Sequence, residues 1–391
     1  MKTYITNVAI VLENELVENG AILIDSGKIA DIHTSPKTSQ QADFTIDGNG
    51  ALAMPGYIDS HCHGGGGFDC NDATVEAIEG LTTFYASHGI TSYYPTLAAD
   101  KMDILVRGFD SIRQAMKTNR AGKPEVLGNH LEGPFLNKLY KGSQAEESII
   151  PIEEKHVALL ENYKDVVKRI TIAPEVDSNV DLFPKLVEMG ITITGGHSNA
   201  TYDEAMEAAA RGMQGVTHLH NAMSSTKKVG PFRVCGLAEA GLNIDSLYAE
   251  IIADGFHIPT PLIQLAYRCK GANKLFICSD ANRATGAADG SVIHTCGQVF
   301  VIENGVALNS ERTSLASSVT PLDEMVRKLL VNVKLPLIGV AKMAATNVAK
   351  MMGIDHHKGS IAVGKDADIN LLDADYKVIR TFCRGMESFK R

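Results

Sequence analysis

The segment Tyr57-Ile58-Asp59-Ser60-His61-Cys62-His63-Gly64 runs from two apolar residues to a pair of histidines and a glycine. The segment has the length of a buried β-strand, and side chains alternate along a strand, so His61 and His63 face the same side. An open doubly wound sheet would carry GxGxxG after its first strand. His-Cys-His-Gly stands there instead, so we rank that architecture well below a barrel.

Strand candidates of the same kind recur downstream and alternate with helical patterns. At 74–88 apolar residues recur at helical spacing and Gly89 follows as a stop, and 202–211 is a second helix candidate. Counting 57–63 as the first, the sequence has eight strand candidates that alternate with helices. This pattern predicts a (β/α)8 TIM barrel of about 250 residues. The other strand candidates lie at 91–97, 126–132, 170–175, 191–197, 215–220, 248–254 and 274–280.

Both ends of the chain have a different texture from the barrel. The N-terminal part contains short β segments at 4–12, 20–25, 28–33 and 44–47, and the tail from 359 to 378 again shows turns and short strands. We therefore expect residues 1–52 and 353–391 to form one small β-sandwich domain around a barrel of residues 53–352.

Composition restricts the possible partners. The chain has 391 residues, 45% hydrophobic and 21% charged, with a net charge of −9. An acidic balance argues against nucleic acid and anionic membranes as partners. Acidic residues interrupt the N-terminal apolar run, and an uninterrupted apolar stretch of membrane-spanning length is absent from the sequence, so we predict neither a signal peptide nor a membrane span. Seven cysteines without a CxxC pair fit a reduced, cytoplasmic protein.

Residues suited to bind a metal stand at most of the predicted strand ends. In a parallel barrel the catalytic groups lie at the carboxyl ends of the strands, so these side chains are expected to converge. Histidine with glutamate or aspartate is a donor set for zinc or iron. The residues concerned are His61, His63, Glu132, His197, His218, Asp254, His257 and Asp280. Since Asp280 ends the last strand, it is our candidate for the base that takes a proton from the attacking water.

Each of these positions taken alone has a simpler explanation. An HxH pair is more often accidental than a metal site, and a buried histidine bonded to backbone would explain His218 or His220. An aspartate after a strand is often a helix cap. The metal hypothesis therefore depends on the coincidence of several strand ends. The remaining histidines, His294 among them, are interpreted as structural or solvated.

Other catalytic chemistries find less support in the sequence. Neither a GxSxG nucleophile elbow nor a phosphate-binding P-loop is present. Cys62 and Cys278 lie on strands that reach the site, but we interpret the alternation as turning both away from it. A cysteine nucleophile is therefore not expected.

As an ensemble, the motifs resemble the amidohydrolase superfamily and, within it, the N-acetylglucosamine-6-phosphate deacetylase family. The resemblance covers most of the chain, and the set of motifs is specific although any single one is weak. The motifs are Pro55–Gly64, His130-Leu131-Glu132-Gly133-Pro134-Phe135, Ala173-Pro174-Glu175, Gly196-His197-Ser198-Asn199-Ala200-Thr201, Thr217-His218-Leu219-His220-Asn221-Ala222-Met223, Ala253–His257, Ser279-Asp280-Ala281 and Gly359–Asp368.

The resemblance implies a ligand set for one or two metal ions, zinc or iron. Glu132, His197 and His218 would hold the ion that activates water. His61 and His63 would hold a second ion, which family members without the HxH pair lack. Relatives such as dihydroorotases place a carboxylated lysine at the end of strand four, where this chain has Ala173-Pro174-Glu175, and this disfavours them.

The resemblance also implies the roles of the groups that touch the substrate. Asp280 would be the general base and acid, and His257 would help to polarise the amide carbonyl. Asn221 and Ala222 would contact the substrate through side-chain and backbone atoms, and Asp254 is assigned to the same binding set.

The phosphate contacts depart from the family pattern. The family has a small residue and a histidine where this chain has Ser143 and Gln144. The loop after Met223 carries Lys227, Lys228 and Arg233, of which Arg233 is our candidate for the phosphate, in a site completed by a neighbouring subunit.

The sequence thus predicts metal-dependent hydrolysis of an N-acetylated amino-sugar 6-phosphate, with N-acetylglucosamine 6-phosphate as the leading substrate, by a cytoplasmic homodimer. The alternatives are an N-acetylgalactosamine 6-phosphate deacetylase, another amidohydrolase such as an N-acyl amino acid deacylase or a deaminase, and a non-catalytic binding protein that has kept the barrel.

Overall fold

A computed structural model describes residues 1–34, 42–177, 179–295 and 298–391. Its central feature is a parallel sheet whose eight main strands follow one another in chain order around a barrel. In order, the barrel strands are Tyr57–Cys62, Ile90–Ala98, Asn129–Glu132, Val167–Ile172, Thr192–Gly195, Met213–Val216, Tyr248–Ile252 and Leu275–Cys278, and Glu125–Val126 pairs with the second.

The barrel closes between its eighth and first strands. Cys62 and Ala281 form a parallel bridge, the Asp280 N–H donates to the His61 carbonyl at 2.9 Å, and the His63 N–H donates to Ala281 at 2.8 Å. The closing contacts thus involve the residues predicted to carry the chemistry. The predicted (β/α)8 barrel is confirmed.

The observed strands differ from the predicted ones mainly at their carboxyl ends. The fourth strand was predicted at 170–175 and ends at Ile172, and the sixth was predicted at 215–220 and ends at Val216. The side chains expected at the strand ends therefore lie on the first residues of the following loops.

Helices cover the outside of the barrel. The helix predicted at 74–88 is Val75–Ala86, and the Thr74 side chain caps it by accepting from the Ala77 N–H at 3.2 Å. The α-helices are Val75–Ala86, Met102–Lys117, Glu154–Asn162, Phe183–Glu188, Tyr202–Ala210, Leu237–Asn243, Thr260–Lys270, Leu322–Val331, Leu337–Ala341 and Asn347–Met351, with a π-helical turn at Lys342–Thr346. Short 3₁₀ turns lie at Cys70–Asp72, Lys138–Tyr140, Glu146–Ser148, Asn179–Leu182 and Gly271–Asn273. Among the described residues, each helix is too short or too polar to cross a lipid bilayer.

Both chain ends contribute to a second, seven-stranded sheet. Its order places Phe44–Pro55 from the N-terminal part beside Ile369–Leu372 from the tail, in antiparallel register. A separate apolar cluster, made almost entirely of residues on this sheet, gives the sheet a core of its own. In chain order the strands are Lys2–Val11, Leu16–Asp25, Lys28–His33, Phe44–Pro55, Ile369–Leu372, Val378–Cys383 and Met386–Lys390. The domain boundaries at 52 and 353 stay a prediction.

Lys358 joins this sheet to the barrel. Its side chain is 1% exposed, and its ammonium lies 2.8 Å from Glu125, 2.8 Å from Asp368 and 3.0 Å from Asp366. Because Glu125 precedes the third barrel strand and the two aspartates precede the tail strands, the cluster connects the two sheets. Such an ion cluster fixes geometry more than it adds stability.

Three small antiparallel additions lie at loops of the barrel. One is the pair Gly64–Gly65 and Phe68–Asp69. The second is the hairpin of Lys227–Val229 and Phe232–Val234, and the third is a three-stranded sheet of Val292–Thr295, Gln298–Glu303 and Val306–Asn309. The three-stranded sheet was not among the predicted elements.

Candidate metal centre

The residues predicted to bind metal converge at the carboxyl end of the barrel. His61 is the fifth residue of the first strand and Glu132 the last of the third, whereas His197, His218 and Asp280 each follow a strand by two residues. These side chains and that of His63 are buried. All of them except His61 line a cavity of about 680 Å³, a size that suits a small-molecule ligand.

The loop residues reach the barrel axis through an unusual backbone. His197, His218 and Asp280 have φ values of 48°, 30° and 44°, a left-handed conformation that residues other than glycine adopt at a cost. His220 and Ala222 share it, with φ values of 74° and 45°. Strain of this kind concentrates at functional sites, where the surrounding structure holds it in place.

Glu132, His197 and His218 form the first ligand group. Glu132 Oε1 lies 3.2 Å from His197 Nε2 and 3.0 Å from His218 Nε2, and the two Nε2 atoms are 3.1 Å apart. Ligand atoms at about 2.05 Å from a tetrahedral ion would be separated by about 3.3 Å. The three donor atoms are therefore spaced as the ligands of one ion would be.

His61, His63 and the same glutamate form the second group. His61 Nε2 lies 3.3 Å from His63 Nε2 and 3.3 Å from Glu132 Oε1, while His63 Nε2 lies 3.1 Å from Glu132 Oε2. Asp280 Oδ1 is 3.3–3.4 Å from both Nε2 atoms. Glu132 thus lies between the two groups, in position to bridge two ions.

The tautomers of the histidines fit metal binding. His197 Nδ1 is 2.8 Å from the Tyr140 carbonyl and His218 Nδ1 is 3.2 Å from the Asn221 carbonyl. A carbonyl oxygen only accepts, so each Nδ1 carries the hydrogen, and in the neutral imidazole each Nε2 keeps its lone pair. Lone pairs that face one another across about 3 Å in a buried site need a cation between them, and the residues present therefore fit a metal ion.

Electrostatics favour the ionised form of both carboxylates at the site. Burial opposes the charge of Glu132, but His61 and the other imidazoles hold the pKa of its carboxyl well below the usual range. The pKa of Asp280 is likewise lowered, since the nearby His61 and His63 outweigh its burial. Asp280 is therefore ready to accept a proton.

His257 faces the cavity with its orientation fixed by Asp254. Asp254 Oδ2 accepts from His257 Nδ1 at 2.7 Å and from the Ser318 hydroxyl at 3.1 Å, and Asp254 Oδ1 accepts from the backbone amides of Phe256 and His257. Burial disfavours the charged imidazolium, but the contact with Asp254 raises the pKa of His257 above its ordinary value. Asp254, predicted to bind substrate, lies behind His257 and not among the cavity-lining residues in the described part of the chain.

Gln144 lines the cavity but is hydrogen-bonded to the ligand set. Its amide nitrogen donates to Glu132 Oε2 at 2.8 Å, and its amide oxygen accepts from the Ala99 N–H at 2.8 Å. Since Ala99 fixes the oxygen, the nitrogen must face Glu132. Ser143, Asn221 and Ala222 also line the cavity, and their contacts with the substrate stay a prediction.

The predicted phosphate cations lie elsewhere. The hairpin 227–234 carries the exposed Lys227, Lys228 and Arg233. In its antiparallel register the backbone of Lys228 lies opposite that of Arg233. Among the described residues, Lys101 and Arg283 are the lysine and arginine that line the cavity, and Arg283 is bonded to Asp69 and Asp72. His294 lines it too, in addition to the candidate ligands and His257.

Sequence reasoning missed a polar layer beneath the ligands. Glu250 and Arg169 are fully buried in the barrel, where Arg169 Nη1 lies 2.5 Å from Glu250 Oε2. A charged residue inside an apolar strand candidate was the available signal. The prediction that Cys278 points away from the site is wrong, because its sulfur lies within 4.8 Å of His61 and Glu250 ligand atoms. Cys278 and Asp280 are two residues apart and so share a face.

Comparison with known proteins agrees with this geometry. The sequence model of the amidohydrolase family matches residues 52–387. The chain is 34% identical to an N-acetylglucosamine-6-phosphate deacetylase of Bacillus subtilis, over 98% of this chain and 96% of that protein. It is 27% identical to an N-acetylgalactosamine-6-phosphate deacetylase of Escherichia coli O157:H7, over 95% of this chain and 96% of that protein.

A solved structure extends the similarity to three dimensions. The N-acetylglucosamine-6-phosphate deacetylase of Pasteurella multocida superimposes with a TM-score of 0.92 and 31% identity, covering 99% of both chains.

Proposed function

The chain belongs to the amidohydrolase family, and we propose that it is a metal-dependent deacetylase of an N-acetylated amino-sugar 6-phosphate. The leading substrate is N-acetylglucosamine 6-phosphate, which would give glucosamine 6-phosphate and acetate. The names of its full-length relatives support this substrate.

One observation carries the proposal. Three donor atoms of Glu132, His197 and His218 lie within 3.2 Å of one another, with their lone pairs directed into a cavity that also exposes Asp280 and His257. A ligand set, a proton acceptor and a carbonyl-polarising group in one cavity are the parts that amide hydrolysis needs.

Glu132, His197 and His218 would hold one divalent ion, and His61, His63 and Glu132 a second. When bound, such an ion lowers the pKa of a water molecule and polarises a carbonyl. Zinc and iron both suit these ligands. The number of ions and their identity are part of the proposal.

Two side chains of this protein would move the protons. Asp280 accepts a proton from the attacking water and later delivers it to the nitrogen of the departing amine. His257, protonated with the support of Asp254, donates from Nε2 to the oxygen of the acetyl carbonyl. Charge that develops on this oxygen is thereby stabilised where it forms.

Substrate orientation is assigned to the wall of the cavity. Ser143, Asn221 and Ala222 line it and offer hydrogen bonds to the sugar. Arg233 lies outside the cavity of its own subunit, so we propose that the hairpin of a second copy brings this cation to the phosphate. A homodimer is therefore part of the proposal, and a cytoplasmic location stays a prediction.

The nearest alternative is deacetylation of N-acetylgalactosamine 6-phosphate, supported by the relative from Escherichia coli O157:H7. The two substrates differ in the configuration of one hydroxyl. Other amidohydrolase reactions, such as deamination, would release ammonia in place of acetate.

The test is a panel of N-acetylated sugars, with and without the 6-phosphate, assayed for acetate and for ammonia. We expect acetate from N-acetylglucosamine 6-phosphate and loss of activity after the metal is removed by a chelator. Full activity in protein shown by elemental analysis to be metal-free would refute the metal-dependent mechanism, and ammonia release would favour a deaminase.

A further inference from the structure

Glu250 lies directly beneath the second ligand group. It stands in the seventh barrel strand and, like Arg169 of the fourth, is fully buried. Arg169 Nη1 contacts Glu250 Oε2 at 2.5 Å and also donates to Ser60 Oγ at 3.0 Å. The guanidinium therefore fixes both the charge and the orientation of the Glu250 carboxylate.

The other oxygen of Glu250 faces the ligands. Glu250 Oε1 lies 2.9 Å from His61 Nδ1 and accepts from the backbone N–H of His218 at 3.1 Å. An ionised carboxylate only accepts hydrogen bonds, so His61 Nδ1 must carry its hydrogen. The Nε2 lone pair of His61 is then directed toward His63 and Glu132.

We propose that Glu250 is the positioning residue of the second metal ion, acting through the tautomer and ring orientation of His61. This inference rests on the proposed function, since it assumes a site for two ions. Carboxylates that fix a ligating histidine in this way tune metal affinity.

His61 differs from the other ligands in what holds it. His197 and His218 donate from Nδ1 to backbone carbonyls, which no side-chain substitution removes. His63 Nδ1 has no hydrogen-bond partner in the described part of the chain. Of these four imidazoles, that of His61 is therefore the one whose Nδ1 is held by a replaceable side chain.

The atoms of His61, Glu250 and Cys278 lie close enough together to surround an ion. We interpret them as a hydrogen-bonded layer instead. The separation of 2.9 Å between His61 Nδ1 and Glu250 is that of a hydrogen bond, and Arg169 already supplies the positive charge that the carboxylate requires.

The substitution Glu250→Gln separates the two contacts of the carboxylate, one with Arg169 and one with His61 Nδ1. A buried guanidinium without an acceptor is strongly destabilising, so the amide oxygen of glutamine is expected to face Arg169. Its NH₂ group then faces His61 Nδ1 and can only donate. Under this constraint Nδ1 becomes the acceptor, the hydrogen moves to Nε2, and His61 loses its lone pair for the ion.

The experiment is a zinc titration of metal-free protein against a competing chelator, with elemental analysis of the ions per chain. We expect two ions in the wild type. In Glu250→Gln the dissociation constant of the second ion should rise by about 10- to 100-fold. The first ion should be affected less: the His218 N–H loses its acceptor on Glu250, but the His218 ring keeps its own contact with the Asn221 carbonyl.

Two further variants separate this mechanism from general damage. Asp323→Asn makes the same chemical change beside another histidine, His88, at a contact of 2.9 Å outside the cavity, and should leave both ions bound. Arg169→Met/Glu250→Gln removes the need for an acceptor at Arg169. The amide oxygen is then free to face His61, and binding of the second ion should recover.

Unchanged binding of the second ion in Glu250→Gln would overturn the inference. A double variant that still binds the second ion weakly would overturn it too. If Glu250→Gln is insoluble, the double variant decides by the same criterion. A wild type that releases acetate with a single ion would overturn the inference and leave the deacetylase proposal intact. If the wild type binds two ions but releases no acetate, and Glu250→Gln loses one of these ions, the inference is supported and the proposed reaction is refuted.

Discussion

Asp280→Asn tests the proton transfer with little disturbance of the fold. The backbone of Asp280 is held on both sides, since its N–H donates to His61 at 2.9 Å and its carbonyl accepts from Ser318 at 2.7 Å. Asparagine has the same shape and keeps one oxygen beside His61 and His63. What it loses is the capacity to accept a proton.

The expected loss in kcat is about 10²–10⁴-fold, or about 2.7–5.4 kcal/mol of transition-state stabilisation. We expect the upper part of this range, because the same carboxylate serves both the attack of water and the departure of the amine. The measurement is steady-state acetate release, with metal content determined on the same preparation. Asp100→Asn, at the rim of the same cavity, is the matched control.

A loss below roughly tenfold with full metal content would refute the assignment. Neither Glu175 nor Asp254 is then an obvious alternative as the proton acceptor, because the oxygens of both already accept hydrogen bonds. Those of Glu175 accept from Asn137, Ser198 and Asn199, and those of Asp254 accept from its own loop and from Ser318.

Three further predictions concern residues around the ligands. Gln144→Ala removes a hydrogen bond to the charged Glu132 that is worth about 1.5–3 kcal/mol, so metal affinity measured by chelator competition should fall by about 10- to 150-fold. The control is Ser148→Ala, another variant in the wall of the cavity, and equal metal affinity in the two variants would contradict the prediction. Asp254→Asn removes the charge that raises the pKa of His257. Because the active imidazolium is lost as pH rises through that pKa, the alkaline limb of the kcat/KM profile should move to lower pH. An alkaline limb at the same pH as in the wild type would exclude His257 as the cationic donor. Arg233→Ala should reduce kcat/KM by about 10- to 150-fold for the phosphorylated sugar and little for the unphosphorylated one, and an unchanged ratio would assign the phosphate to other cations.

The barrel could be predicted from sequence because its pattern is local. Apolar runs of strand length alternate with helical patterns, and each run is followed by a residue of unusual chemistry. The ends of the strands could not be placed as well, because His197, His218 and Asp280 adopt left-handed backbone conformations that their residue types do not announce.

The layer behind the ligands was harder to infer. Charged residues are expected outside a barrel, so Glu250 inside a strand candidate indicates something unusual, but its pairing with Arg169 and His61 follows only from the spatial arrangement. Gln144 contacts Ala99 and Glu132, which are far from it in sequence, and no periodicity connects the three. Only the spatial arrangement reveals that Gln144 supports a ligand.

The pairing of Phe44–Pro55 with Ile369–Leu372 bears on how the chain is made. A ribosome adds about 5–20 residues per second, so an interval of roughly 15–60 s separates the synthesis of these two strands. During that interval the edge of Phe44–Pro55 is left without its neighbour, an exposed edge of the type that attracts other nascent chains. The strands of the barrel are made before the tail strands, whereas the terminal sheet is completed only after residues 369–390 have been made. Protection of this edge by a chaperone on the ribosome would therefore affect the yield of active protein without affecting its final stability.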